Sequence, residues 1–200
     1  VIPISTGLAV TPLQRILNLE QAFAIEADPA FAGGDYYEGA RPDRGLALAR
    51  MIAHKTFISL RTLTERARGE VVRGGGELTS YGVSSPEESY MLHQGRKFVR
   101  RFDANSYLRI LEAWQRFDLL AGSGAEDLTK LFGRCRDQRY LTFSIDSDVS
   151  FYPEEQAEMV GILKAAGVET VRMTVHSEKG HDSFLLEPEL YTPMLQWALG

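Results

Sequence analysis

Cysteine is nearly absent. Cys135 stands alone among 200 residues, so no disulfide can form within the chain. A reducing, cytoplasmic setting is the expectation, and Cys135, flanked by Arg134 and Arg136 but without a local motif, reads as structural rather than as a catalytic thiol. Long apolar runs are missing too. No stretch approaches the roughly 20 residues of a membrane-spanning helix, and no charged segment precedes an apolar one as in a signal peptide. Positive charge is not in excess: 22 Lys and Arg against 27 Asp and Glu leave a net charge of −5, which gives no reason to expect nucleic acid. The local basic run "GRKFVRR" (95–101) carries Phe98 and Val99 in a helical pattern and reads as a solvated helix face. The ligand spacing H-E-x-x-H is absent, so no metal is expected, although His176, His181, Asp182 and Asp148 carry suitable donor atoms. The triple glycine of "RGGGELTSYGVSSPEE" (73–88) lacks the Gly-Lys-Ser/Thr ending of a phosphate loop and reads as a linker. A Gly-x-Ser-x-Gly nucleophile elbow occurs nowhere. Ser5, Ser59, Ser80, Ser84, Ser85, Ser89, Ser106, Ser123 and Ser144 all lack that setting.

What is present divides into two kinds of sequence. "VIPIS" (1–5) reads at once as a buried strand without an initiating methionine, so the chain is expected to open in the middle of a fold. "TPLQRILNLEQAFAIEA" (11–27) has a capping threonine, a proline at the first helical position and Leu13, Ile16 and Leu17 at helical spacing. A loop is expected over 32–44, a long helix over 45–67 with a break near Phe57, and two more helices over 87–101 and 104–118. The character then changes. "YLTFSI" (140–145) is a strand, "PEEQAEMVGILKAAG" (153–167) a helix opened by proline and closed by glycine, "VETVRMTV" (168–175) a second strand, and 187–199 a helix interrupted or delayed by Pro193. A strand–helix–strand–helix order predicts a parallel pair. Residues 1–10 and 136–200 are therefore assigned to an α/β core, with 11–135 as a mostly helical insertion.

Connectivity alone locates the chemistry. Two parallel strands joined by a crossover end on one edge of the sheet, where open α/β sheets gather ligand and catalytic groups. One strand ends in "DSDVS" (146–150) and the other in "HSEKGHDSF" (176–184), so an aspartate and a histidine meet there. Such a pair is two thirds of a nucleophile–acid–histidine triad: the carboxylate fixes the ring tautomer and the other ring nitrogen removes a proton from the nucleophile. His54 and His93 lie in helical patterns and read as packing or surface residues.

The blocks "ADPAFAGGDYY" (27–37), "GLALARMIAH" (45–54), "GRKFVRRFDANSYL" (95–108), "SIDSDVSFYPEEQ" (144–156) and "GHDSFLLE" (180–187), in that order along nearly the whole chain, resemble the homoserine O-acetyltransferase family. The match covers the second part of that family's sequence only. The resemblance implies an incomplete α/β-hydrolase fold, made of C-terminal strands and helices with an inserted helical lid, and a nucleophile serine on an N-terminal segment. It implies acetyl transfer from acetyl-coenzyme A to L-homoserine through an acyl-serine, with no permanently bound cofactor and a homodimer joined through the lid. The family's acid falls on Asp148 and its histidine on His181. The carboxylate that receives the acceptor's amino group falls on Asp182, and the arginine that grips the acceptor's carboxylate on Arg50, a role suited to a bidentate guanidinium. Phe57 stands where the family commonly has a tyrosine near the substrate, and Lys55 where an apolar residue is usual. Succinyltransferases and other small-alcohol acyltransferases of the same frame, an esterase on the same triad, and a non-catalytic assembly module are the alternatives.

Overall fold

The computed structural model describes residues 1–69, 78 and 80–200. Residues 73–77 and 79 of the linker reading over 73–88, the triple glycine included, lie outside them. In chain order the α-helices are α1 (Pro12–Glu26), α2 (Asp43–Phe57), α3 (Leu60–Arg66), α4 (Pro86–Val99), α5 (Ala104–Gln115) and α6 (Leu128–Phe132). Strand β1 (Arg139–Ile145), helix α7 (Pro153–Ala165), strand β2 (Glu169–Val175), the one-turn α8 (Ser183–Leu186) and α9 (Thr192–Leu199) follow. Pro193 lies in the first turn of α9, preceded by a 3₁₀ turn over Pro188–Leu190, so it starts that helix rather than interrupting it. None of the helices described is long and apolar enough to cross a membrane.

The chain forms two compact units: Val1–Val10, Thr56–Ser59 and Phe117–Gly200 make one, and Thr11–Lys55 with Leu60–Arg116 the other. Residues 117–135 and 56–59, grouped with the helical insertion from sequence, therefore pack with the sheet.

The helical unit is tied together by polar contacts as much as by its core. Thr11 and Gln14 form a reciprocal capping box at the start of α1, and Ser85 and Glu88 do the same for α4. The face of α1 that is buried carries Gln14, Asn18, Gln21, Ala24 and Ile25, while Leu13, Ile16, Leu19 and Phe23 are exposed. Apolar spacing alone points the other way. The difference has a cause: Asn18 donates to Gln115 at 3.3 Å and Gln21 accepts from the Tyr107 hydroxyl at 2.5 Å, so amides link α1 to α5. Ile25, Phe31, Tyr36, Leu46, Ala49, Phe98 and Ala104 form the apolar core. Tyr36 donates to Asp103, whose other oxygen caps α5 at the Ser106 amide.

In the sheet unit β1 and β2 are parallel, with Arg139 opposite Glu169 and Ile145 opposite Val175. Residues 1–5 run along β1 as well. Leu141 and Phe143 donate to the carbonyls of Val1 and Pro3, and Ser5 donates back to Phe143 at 2.9 Å. The amide of Asp146 bonds Val175 at 3.1 Å, so amides of alternate residues serve opposite edges and β1 is central. Centrality explains its burial: Leu141 through Ile145 are all buried, including Thr142 and Ser144. Leu141, Phe143, Ile145, Val175 and Tyr191 form one cluster, and Met159, Leu163, Ala166 and Val168 a second beneath α7. Cys135 packs half-buried against the second, a structural setting.

Candidate functional site

The strand ends are laced together residue by residue. Just beyond β1, Asp146 bonds His176 Nδ1 at 2.8 Å and accepts from the Ser177 amide at 3.1 Å. Ser147 Oγ accepts from the Gly180 amide at 3.0 Å, and Asp148 Oδ2 lies 2.8 Å from His181 Nδ1. Three consecutive residues, "DSD", thus hold the loop after β2 at three successive points. The two acid–histidine pairs differ sharply in setting. The side chain of His176 is 82% exposed, whereas that of Asp148 is 0% exposed and that of His181 20%. An open pair contributes little beyond local order; a buried carboxylate needs every acceptor position answered.

Asp148 has them. Oδ1 accepts from the amides of Ser150 at 2.7 Å and Phe151 at 2.9 Å. Oδ2 accepts from Ser5 Oγ at 2.5 Å as well as from His181. With Nδ1 facing a carboxylate, the ring carries its proton there and Nε2 is left as the basic nitrogen. Rings surround the imidazole: Phe151 at 5.3 Å, Phe184 edge-on at 5.5 Å and Phe57 at 6.4 Å between centroids. Phe57 ends α2 inside the sheet unit, so the break expected near it is what lets residues 56–59 reach this loop.

Gly180 sets the approach of that loop. Its φ is +69°, and a Cβ there would stand 2.7 Å from the Ser59 nitrogen and 2.9 Å from the Ile58 carbonyl carbon. Ser59 Oγ in turn donates to the Glu178 carbonyl. Behind the histidine, the Ser183 and Tyr191 hydroxyls are hydrogen-bonded to each other in a buried position, and burial raises the Tyr191 phenol above its usual range.

Of the residues singled out from sequence, Asp148, His181 and Phe57 come together here, and half-buried Asp182 follows His181 in the same 3₁₀ turn, Gly180–Asp182. Arg50 belongs to the helical unit. There its guanidinium lies 5.1 Å over the Phe98 ring and donates to His54 Nδ1 at 3.3 Å, while His54 Nε2 is 3.1 Å from the Tyr90 hydroxyl. His54 is buried, as a packing residue should be, but it also supports Arg50. Burial, then the charges of Arg50 and Arg66, depress its pKa to about 4, so it stays neutral with its proton on Nε2. Sequence reasoning weighed Ser5 only as a nucleophile. Its hydroxyl faces the acid, not Nε2 of the histidine, and only the fold brings residues 143 positions apart into contact.

No family model matches the chain. It is 42% identical to the homoserine O-acetyltransferase of Caulobacter vibrioides over 179 residues, 88% of this chain and 46% of that protein. The homoserine O-acetyltransferase of Deferribacter desulfuricans is 36% identical over 98% of the chain and 51% of its own length, and the homoserine O-succinyltransferase of Acidithiobacillus ferrooxidans 38% over 88% and 46%. Among solved structures, homoserine O-acetyltransferase from Bacillus anthracis superposes with a TM-score of 0.81 at 19% identity over 95% of this chain and 50% of that one. Esterase E22 gives 0.84 at 14% identity over 100% and 54%. The chain therefore spans about half the length of the curated relatives it matches, and it belongs to the homoserine O-acetyltransferase family, of α/β-hydrolase fold.

Proposed function

We propose that this chain supplies the acid and the histidine of an acyl-transfer triad, Asp148 and His181, to a serine on the part of the family's length that it does not span. The observation that carries the reading is the fully buried Asp148 carboxylate, hydrogen-bonded to Nδ1 of a histidine whose other nitrogen is left to act as base. In the first half-reaction Nε2 takes the proton of the serine hydroxyl as the oxygen attacks the thioester carbonyl of acetyl-coenzyme A. The carbon–sulfur bond breaks, the acyl-serine remains, and the thiol leaves with the proton from Nε2. In the second, Nε2 takes the proton of L-homoserine's hydroxyl, that oxygen attacks the acyl-serine, and the serine recovers the proton as O-acetylhomoserine departs. Asp148 stays ionised throughout and stabilises the imidazolium formed in each half.

Arg50 is assigned the acceptor's carboxylate and Asp182 its ammonium group, from the family likeness and from the charges these groups require. Phe57 offers no hydroxyl and is assigned the part of an apolar wall beside His181. Acetyl-coenzyme A binds as a substrate, and no resident cofactor is needed. A homodimer joined through the helical unit is the proposed assembly, supported by the exposed apolar residues Ile16, Leu19 and Phe23 of α1. A cytoplasmic enzyme of methionine biosynthesis fits this chemistry.

A second reading, ester hydrolysis with water in place of the acceptor, is favoured by the likeness to esterase E22. One experiment separates the two: the full-length protein is given acetyl- or succinyl-coenzyme A with and without L-homoserine, and the products are identified by mass spectrometry. Thiol release that depends on homoserine and yields O-acetylhomoserine supports the proposal. O-succinylhomoserine moves the donor, and release without homoserine supports hydrolysis.

A further inference from the structure

Ser5 is one of two non-glycine residues with positive φ among those described; its φ is +43° and that of Ala32 +50°. Ala32 lies exposed in a 3₁₀ turn, where such a conformation meets little resistance. Ser5 is 1% exposed at the end of the extended segment beside β1. Glycine adopts this backbone freely and serine only at a cost. A strained residue persists where something else depends on it, and the side chain supplies the reason. Its Oγ donates to Asp148 Oδ2, the same oxygen that faces His181 Nδ1.

We infer that Ser5 is a positioning residue for the acid: its hydroxyl pins Asp148 Oδ2 in the place from which that oxygen holds His181. The inference rests on the triad reading above. Two amides fix Oδ1, so without Ser5 the second oxygen has one partner only, and that partner is a ring whose own charge changes twice in each half-reaction. A hydroxyl that donates to Oδ2 regardless of the ring's charge keeps the carboxylate plane fixed through both half-reactions. Ser5 acts through Asp148 and does not touch the reacting atoms.

The test compares Ser5→Gly and Ser5→Ala in the full-length enzyme, each alone and combined with Asp148→Asn. Glycine relieves the backbone while removing the hydroxyl, so folding is preserved in at least that variant, and thermal unfolding checks it. A hydrogen bond to a charged group predicts that kcat falls by about 10-fold or more in Ser5→Gly, with both KM values changed by less than about two-fold. The downfield proton resonance of His181 Nδ1–H should shift or broaden. In the Asp148→Asn background the same change should cost almost nothing further. A Ser5→Gly enzyme with wild-type kcat and an unmoved resonance overturns the inference, as does a loss that is undiminished beside Asp148→Asn. If Asp148→Asn and His181→Ala themselves retain wild-type acyl transfer, the triad reading fails first, and that outcome is separate from any effect of Ser5.

Discussion

Replacing Asp148 by asparagine changes one atom's hydrogen-bonding character at a site where the acid's partners are defined. The introduced amide has two possible orientations. With its carbonyl toward His181, the amide NH₂ opposes the backbone amides of Ser150 and Phe151, and two hydrogen bonds of 2.7 and 2.9 Å are lost. With its carbonyl left on those amides, the NH₂ points at Ser5 and at His181 Nδ1. The serine hydroxyl can turn to accept, but the ring must then accept at Nδ1 and hold its proton on Nε2. Leaving two buried amide donors without an acceptor costs about 1–3 kcal/mol each, so the second orientation wins by about 2–6 kcal/mol. At about 1.4 kcal/mol per decade, the ring is then in its useful tautomer only about 10⁻¹ to 10⁻⁴ of the time. Single-turnover acylation of the full-length enzyme by acetyl-coenzyme A should slow by that factor, with thermal stability reduced only modestly. An Asp148→Asn enzyme that acylates within about three-fold of wild type would refute the reasoning, because it would mean that the ring does not depend on this carboxylate for its proton.

Other perturbations follow from the same geometry. Gly180→Ala places a methyl group against the backbone of Ile58 and Ser59 in a left-handed conformation; a loss of about 2–4 kcal/mol in denaturant unfolding, with a fall in kcat, is expected, and an unchanged midpoint would sink this account of the loop. Arg50→Ala should raise KM for homoserine by about 10-fold or more with a smaller effect on kcat; weakened binding of coenzyme A alone would contradict its role. His54 provides a pH test. Its folded pKa, about 4, lies below the ordinary 6.5, so the unfolded chain binds more protons between those values and stability rises with pH across that window. Stability should be fully present above about 6.5 and decline by about 1–2 kcal/mol as pH falls towards 4, after allowance for solvent screening. His54→Gln, which keeps an amide to bond Arg50 and does not titrate, should flatten that part of the profile in thermal unfolding; an identical slope would assign the effect to another group.

The parallel pair and its site-bearing edge were legible because their signals are local. Apolar runs of strand length, a proline opening α7, and polar residues directly after each strand suffice to bring Asp148 and His181 to one edge. The pairing of Asp148 rather than Asp146 with His181 was legible only through the family resemblance; physically it follows from a register that puts Asp146 opposite His176. The α1 face was not legible, because buried amides override apolar spacing when their partners sit far along the chain, as Gln21 and Tyr107 do. Ser5 was invisible for a similar reason. Neither its left-handed backbone nor its approach to Asp148 has any trace in "VIPIS". His54 reads as a packing residue from its helical pattern, and nothing in that pattern reveals the guanidinium it supports.

The central claim is that His181, held by Asp148, is the base of an acyl transfer to homoserine. Its most direct test is the formation of labelled O-acetylhomoserine from labelled acetyl-coenzyme A by the full-length protein and by its His181→Ala variant, followed by mass spectrometry. The account predicts product from the wild type and a loss of about 10³-fold or more in the folded variant. Equal rates from the two proteins, or no acyl ester from the wild type, would contradict it.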